Sequence, residues 1–372
     1  MENFQFAQLF TERRKELQVT QEQIAHYVGV SRAAVSKWEK GLSYPDITLL
    51  PKLATYFNVS IDLLLGYEPQ MTKERIMSIY STLAKRFGNE PFEQVDEQID
   101  EMIAEYYSCF PFLLKIAQLY MNYYLKAANP DEILEKCFTL CERIKTQSHH
   151  RQLSYEATVL EAFISIMQGK PKQVLELLGE EAAVQYGTEH LIATAHTMLG
   201  NQEKAKEVLQ VSIYQQTVGL ISNATETLLL EVDHTAHFDE TIKRIQLLLE
   251  TFQITNLNPN VALVFYIKAA SGYMMRNQTE QALQMIEQYT QICSALKFPL
   301  ELSGDAYFYK LGQWIDQQER VDKQAPRDNL SIKKDLVASV ANNPIFSALQ
   351  DNTQFKMMMT NLQHHLQLEG EL

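Results

Sequence analysis

The stretch TQEQIAHYVGVSRAAVSKW, residues 20–38, leaves the chain little conformational choice. It reads as two short helices joined by a turn that only a small residue can occupy. Counting from Gln21, Ala25 is the fifth position, Gly29 the ninth, Val35 the fifteenth and Trp38 the eighteenth. Ala25 lets the second helix cross close to the first, and Gly29 takes a positive φ without a Cβ clash. Val35 and Trp38, three apart, share the inward face of the second helix. Ile24, Val28 and Val30 fill the wedge between the two. Four sterically constrained positions at these intervals are the spacing of a helix-turn-helix.

The flanks extend the pattern. Phe4, Phe6, Leu9, Phe10 and Leu17 give a preceding helix with an apolar face, and Arg13-Arg14-Lys15 a cationic patch on it. Thr20 with Gln23 forms a capping box, Ser31 caps the following helix and Gly41 ends it. Asp46 caps a fourth helix carrying Leu49, Leu50, Leu53, Ala54 and Phe57, and Ser60 caps a last short one, Ile61 to Leu65. Five helices in about 65 residues, continuing through SRAAVSKWEKGLSYPDITLLPKLATYFNVSIDLLLG at 31–66, resemble the lambda-repressor-like, or xenobiotic-response-element (XRE), family. The resemblance covers residues 1–66 and implies a five-helix DNA-binding domain.

Net charge is −13, which argues against nucleic acid until it is partitioned. Residues 1–66 hold seven basic and seven acidic side chains, leaving 26 basic and 39 acidic for the rest. A neutral module binds a duplex when its cations share one face, because affinity follows local phosphate neutralisation. Arg32, Lys37 and Lys40 lie on or beside the second helix of the motif. Arg32, in its first turn, has the reach to grip guanine O6 and N7. Ala33 and Ala34 are short enough to let that turn approach base edges. Ser36 and Lys37 are placed for base or phosphate contact, and Gln21 for phosphate contact and for buttressing the next helix. The resemblance carries the same roles onto Gln21, Arg32, Ala33, Ser36 and Lys37. For Lys40 and Lys52, phosphate contact competes with a merely solvated cation, and Trp38 reads as core.

Beyond a hinge at Gly66-Tyr67-Glu68-Pro69-Gln70, helical periodicity runs almost unbroken and the whole chain reads as all-α. Two amphipathic helices span roughly 72–87 and 92–107. From about 112 the helices pair in a degenerate tetratricopeptide pattern. Its best unit has Tyr266, Ala270, Tyr273, Asn277, Ala282 and Ile286; others have Ala193, His196, Gly200, Ala205 and Leu209, and Ala162, Ser165, Gly169, Val174 and Leu178. Residues 133, 174, 205, 242 and 282 occupy equivalent positions, 41, 31, 37 and 40 apart. The organisation expected is a DNA-binding domain at 1–66, hinge and linker helices at 67–111, and a right-handed α-solenoid of tetratricopeptide-like pairs at 112–372. The tail, from Asn343-Pro344-Ile345-Phe346 to Phe355, resembles segments that close such arrays.

In such a solenoid the first helix of each pair lines the concave surface. This places Gln118 and Asn122; Val159, Phe163 and Ile166; His190, Thr194 and Thr197; Thr227 and Glu231; and Ile267, Ser271 and Met274 on that surface. Amides and hydroxyls among apolar side chains suit an extended peptide. The two-part layout resembles the quorum-sensing regulators of Gram-positive bacteria that bind a short peptide pheromone. That resemblance implies asparagines clamping the peptide backbone, a placement Asn122 matches and for which Asn223 is a second candidate.

The remaining clusters carry less. Cys137 and Cys141, one turn apart and followed by His149-His150, read as core thiols rather than zinc ligands, and His234 with His237 lacks a third ligand. Four cysteines without framework spacing suit a reducing cytoplasm. No apolar run is long enough to span a membrane and no leader is visible. No nucleophile elbow, phosphate-binding glycine loop or acid–base carboxylate pair points to an enzyme, and no cofactor or metal is expected. The reading is therefore a cytoplasmic, homodimeric regulator of transcription that binds double-stranded DNA and senses a short peptide. An adaptor whose array binds a protein partner is the alternative, and a metal sensor a distant third.

Overall fold

The computed structural model describes residues 5–67, 70–184, 186–317, 325 and 327–368. Phe4 of the first helix and Glu68 and Pro69 of the hinge lie outside the described residues. Within them the chain is helical and forms no β-strand.

The amino-terminal module comprises α1 (Phe6–Glu16), α2 (Gln21–Val28), α3 (Arg32–Glu39), α4 (Leu50–Phe57) and α5 (Ile61–Leu65). Its boundaries follow local chemistry. Thr20 and Gln23 form the reciprocal capping box, with Gln23 N donating to Thr20 Oγ1 and Thr20 N to Gln23 Oε1. Ser31 accepts from Ala34 N and Ser60 from Leu63 N. Asp46 caps a 3-10 turn, Ile47–Leu49, that leads into α4 instead of capping α4 itself. Gly29 has φ 80°, where a Cβ would strain the turn between α2 and α3. The core centres on Phe10, whose ring meets Trp38 edge-on at 6.1 Å and Phe57 at 5.2 Å. Such aromatic pairs add about 1 kcal/mol each beyond area burial.

A second core joins α6 (Lys73–Asn89), α7 (Phe92–Glu105), α8 (Phe110–Tyr123), α9 (Pro130–Gln147) and α10 (Arg151–Met167). The two helices expected as linkers, α6 and α7, thus share their apolar faces with the first repeat helices. Phe87 on α6 stacks against Tyr123 on α8 at 5.2 Å. Lys136 on α9 bridges Asp96 and Asp100 on α7, and Tyr120 donates to Asp96 at 2.6 Å.

Then follow α11 (Pro171–Leu178), α12 (Glu189–Met198) and α13 (Gln202–Leu230), a 29-residue helix without a proline. Repeat spacing asks α13 to be two helices, the second member of one pair and the first of the next; a single rod does both. The third core involves α13 with α14 (Thr235–Thr251), α15 (Ile254–Leu257), α16 (Pro259–Met275), α17 (Thr279–Ala295), α18 (Leu311–Gln317), α19 (Asn329–Ala341) and α20 (Thr353–His365). α16 and α17 turn at Asn277, φ 57°, and bury Ala270 and Ala282 where they cross. The tail packs inward: Phe346, Phe355 and Leu362 are buried, and Asn352 caps α20.

The second and third cores meet where the chain folds back on itself. Asp328, the N-cap of α19, accepts from Ser331 N at 2.9 Å and from the Tyr123 hydroxyl at 3.1 Å. Gly88 on α6 faces the same carboxylate so closely that a Cβ there would lie 2.8 Å from it. This tie, across 205 positions of sequence, sets the two cores on either side of a cavity.

Candidate nucleic-acid interface and ligand cavity

α3 has a sealed back and an open front. Val35 is fully buried and Trp38 nearly so, whereas Arg32, Ala33, Lys37 and Lys40 are exposed and Ser36 is half-buried. Because Ser31 caps the helix, Arg32 begins its first turn, and its side chain projects beside the free end. Lys52 is exposed on α4.

Gln21 does not point outward alone. Its Nε2 donates to Glu39 Oε2 at 2.8 Å, and Glu39 is paired with Arg14, whose Nη2 lies 3.3 Å from that same oxygen. Arg14 Nη1 also donates to the Val19 carbonyl at 2.9 Å. Burial pushes the Glu39 carboxyl up, but hydrogen bonds from Arg14 and Gln21 outweigh it and hold it below the usual carboxylate range. The network locks α1, α2 and the end of α3 together. It also corrects the cationic patch read on α1: Arg14 is an internal tie and Arg13 pairs with Glu16 at 2.7 Å. Sequence reasoning missed Glu39 because its partners lie 18 and 25 positions away.

The second site is a cavity of 1870 Å³ between the two large cores. One wall comes from α6, α8 and α10, with Tyr80, Lys115, Gln118, Asn122, Leu160 and Phe163; the other from α14, α16, α17 and α19, with Gln246, Leu263, Ile267, Gln288, Ile292 and Leu336. Of the residues placed on the concave surface from sequence, Gln118, Asn122, Phe163 and Ile267 line it. Asn122 is oriented from within, its Nδ2 donating to the Gln118 carbonyl at 2.9 Å and to the Tyr80 hydroxyl at 3.4 Å. The Lys115 ammonium lies 5.9 Å from the centre of the same tyrosine ring.

The other candidates sit elsewhere. His190 and Thr194 are exposed on α12, and Asn223 and Thr227 on α13, away from the cavity lining. Glu231 is engaged at the α13–α14 corner, 3.3 Å from His234 Nδ1 and 3.7 Å from His237 Nδ1. Ser271 is buried, its hydroxyl donating to the Ile267 carbonyl. What sequence missed is that α16, on which it placed Ile267, faces the first repeat helices across one cavity together with α14, α17 and α19, a juxtaposition to which the fold-back at Asp328 contributes.

The cysteines are all buried and unpaired, and burial pushes the Cys137 and Cys293 thiols up to about 12. Among the described residues, no group of three His, Cys, Asp or Glu side chains is placed to hold a metal, and no helix is long and apolar enough to cross a membrane.

Against known proteins, residues 11–64 match the helix-turn-helix family profile. The HTH-type transcriptional activator BcrR of Enterococcus faecalis is 42% identical over 67 residues, which are 17% of this chain and 33% of BcrR. The chain thus spans about a third of the length of this curated relative. The apo form of the competence regulator ComR from Streptococcus vestibularis aligns with 86% of this chain and 99% of its own at 12% identity, with a TM-score of 0.26. That likeness is too slight to bear on ligand or mechanism. Profile, relative and geometry coincide on the same stretch, and the amino-terminal module is a helix-turn-helix domain of the XRE type.

Proposed function

We propose that the protein is a sequence-specific DNA-binding regulator of transcription, that it acts as a dimer, and that its carboxy-terminal region senses a short peptide. The observation that carries the first part is the exposed front of α3. Arg32 supplies the bidentate donor for a guanine edge, Ala33 leaves room for close approach, and Lys37 and Lys40 supply charge for the flanking phosphates. Gln21, held by Glu39, stands at the start of α2, where it meets the sugar-phosphate backbone and steadies α3. Two such modules, about one helical turn apart, read two half-sites.

The cavity supports the second part. Its walls alternate apolar side chains with amides: Gln118 and Asn122 on one side, Gln246, Gln288 and Gln291 on the other. An extended peptide needs donors and acceptors for its backbone and apolar pockets for alternate side chains, and this lining offers both. A ligand touching both walls would bias their separation and so the spacing of the DNA modules. BcrR is described as a transcriptional activator, which is consistent with a regulator here.

The test is calorimetric titration of a library of short, uncharged apolar peptides into the full chain. A binder whose affinity drops about tenfold in Asn122→Ala and in Phe163→Ala supports the site. A peptide that binds wild type and both variants equally removes the cavity from the account.

A further inference from the structure

Stacked helix pairs hold together because the second helix of each pair rests on the first helix of the next. A bulky residue on the second helix is expected to be buried within the stack. On α17 this residue is Ile286, only 1% exposed. The equivalent residue on α11 is Leu178, and it is 50% exposed. Among the described residues α11 packs on α10 and α12 on α13, and no comparable packing joins α11 to α12. α11 buries no side chain fully, and α12 buries only Ala193. The stack is open at this joint.

The opening exposes two faces that belong together. On α11 they are Leu175 and Leu178; on and just after α12 they are Leu191, Ile192, Met198 and Leu199, a single stripe by helical spacing. Exposure of these six runs from 47% to 84%. By their fractional exposure the six side chains offer an apolar area on the order of the ~800 Å² per partner that a standard interface buries. The connection between them is bracketed by Gly179 and Gly187, with φ 91° and 58°, values that favour glycine. The Asp328–Tyr123 tie meanwhile holds the two cores together at the cavity while the joint stands open.

We infer that this joint is the dimer interface: α11 of one copy stacks on α12 of a second copy, and reciprocally. The end of one half-stack and the start of the next are complementary by the logic of the repeat, and each copy carries one of each. A two-fold axis therefore satisfies both joints at once. This rests on the dimeric reading above and locates it.

The test uses the full chain, whose native thiols are all buried. Leu178→Cys and Leu191→Cys variants, mixed and oxidised, are expected to yield a covalent heterodimer. A Leu178→Cys/Leu191→Cys double variant that instead crosslinks only within one chain overturns the proposal. In sedimentation velocity, Leu178→Asp and Met198→Glu are each expected to weaken dimerisation about tenfold or more, with the helix content read by circular dichroism unchanged. A dimer that survives both substitutions overturns this interface and leaves the dimeric reading standing. A wild-type chain that stays monomeric at high micromolar concentration, free and on DNA, overturns both.

Discussion

Arg32 was legible in sequence because everything that places it is local: a glycine turn, a serine cap and a valine and a tryptophan three apart. Glu39 was not, because its value lies in a crossing of helices that no local pattern encodes. Glu39→Ala leaves the Arg14 guanidinium, 18% exposed, without its carboxylate and frees Gln21. We expect a loss of about 2 kcal/mol in the stability of the amino-terminal module, read by denaturant unfolding, with weaker DNA binding alongside. A further residue, Glu161 on α10, is fully buried; it pairs at 2.6 Å with Lys145, which also pairs with Glu142 at 2.6 Å. Burial pushes its carboxyl up to about 7 against the pull of Lys145. The folded state then holds this proton more firmly than the unfolded chain, in which a Glu titrates at about 4.5, so stability falls as pH rises between those values. Melting curves from pH 5 to 8 should show wild-type Tm declining and Glu161→Gln nearly flat. Parallel declines would assign the effect to other groups.

Helices were readable where their periodicity and caps were. α6 and α7 run within two residues of the spans their apolar spacing gave. The pair α16–α17 was readable from the small residues Ala270 and Ala282, which have a steric reason to sit at a close crossing. α13 was not, since a repeat register asks for a turn near Gly219, Ser222 and Asn223, residues that favour one, yet the backbone stays helical through them with no proline to break it. Where helices touch, glycines mark the tightest approaches. Gly88→Ala would press a methyl against the Asp328 carboxylate. The tie to Tyr123 should loosen, with faster hydrogen exchange through α19 corresponding to about 1–2 kcal/mol of lost protection, and little change in α1–α5. Gly272 on α16 lies under the Phe238 ring, so Gly272→Ala should overpack the α14–α16 contact and lower stability by about 1–3 kcal/mol, seen as a shift in the denaturant midpoint.

Charge and shape divide the labour of the chain. The acidic surplus lies beyond residue 66, leaving a neutral amino-terminal module in which three of the seven cations, Arg32, Lys37 and Lys40, lie on or beside α3. The cavity belongs to the chain's tertiary path: repeat positions pointed to Gln118, Asn122, Phe163 and Ile267, but not to the meeting of α8 and α10 with α14, α16, α17 and α19 across one space. Repeat spacing cannot announce that closure, which depends on Asp328 reaching Tyr123. The DNA-binding reading turns on α3 entering a major groove with Arg32 at its tip. Selection of binding sites from a random duplex library, run in parallel on wild type and Arg32→Ala, tests this without knowledge of the operator. The account predicts that wild type enriches a two-half-site motif with a guanine in each half, and that Arg32→Ala keeps its Tm but loses the preference at that position, worth about 1–3 kcal/mol of discrimination. Enrichment of the same motif to the same degree by both proteins would contradict it.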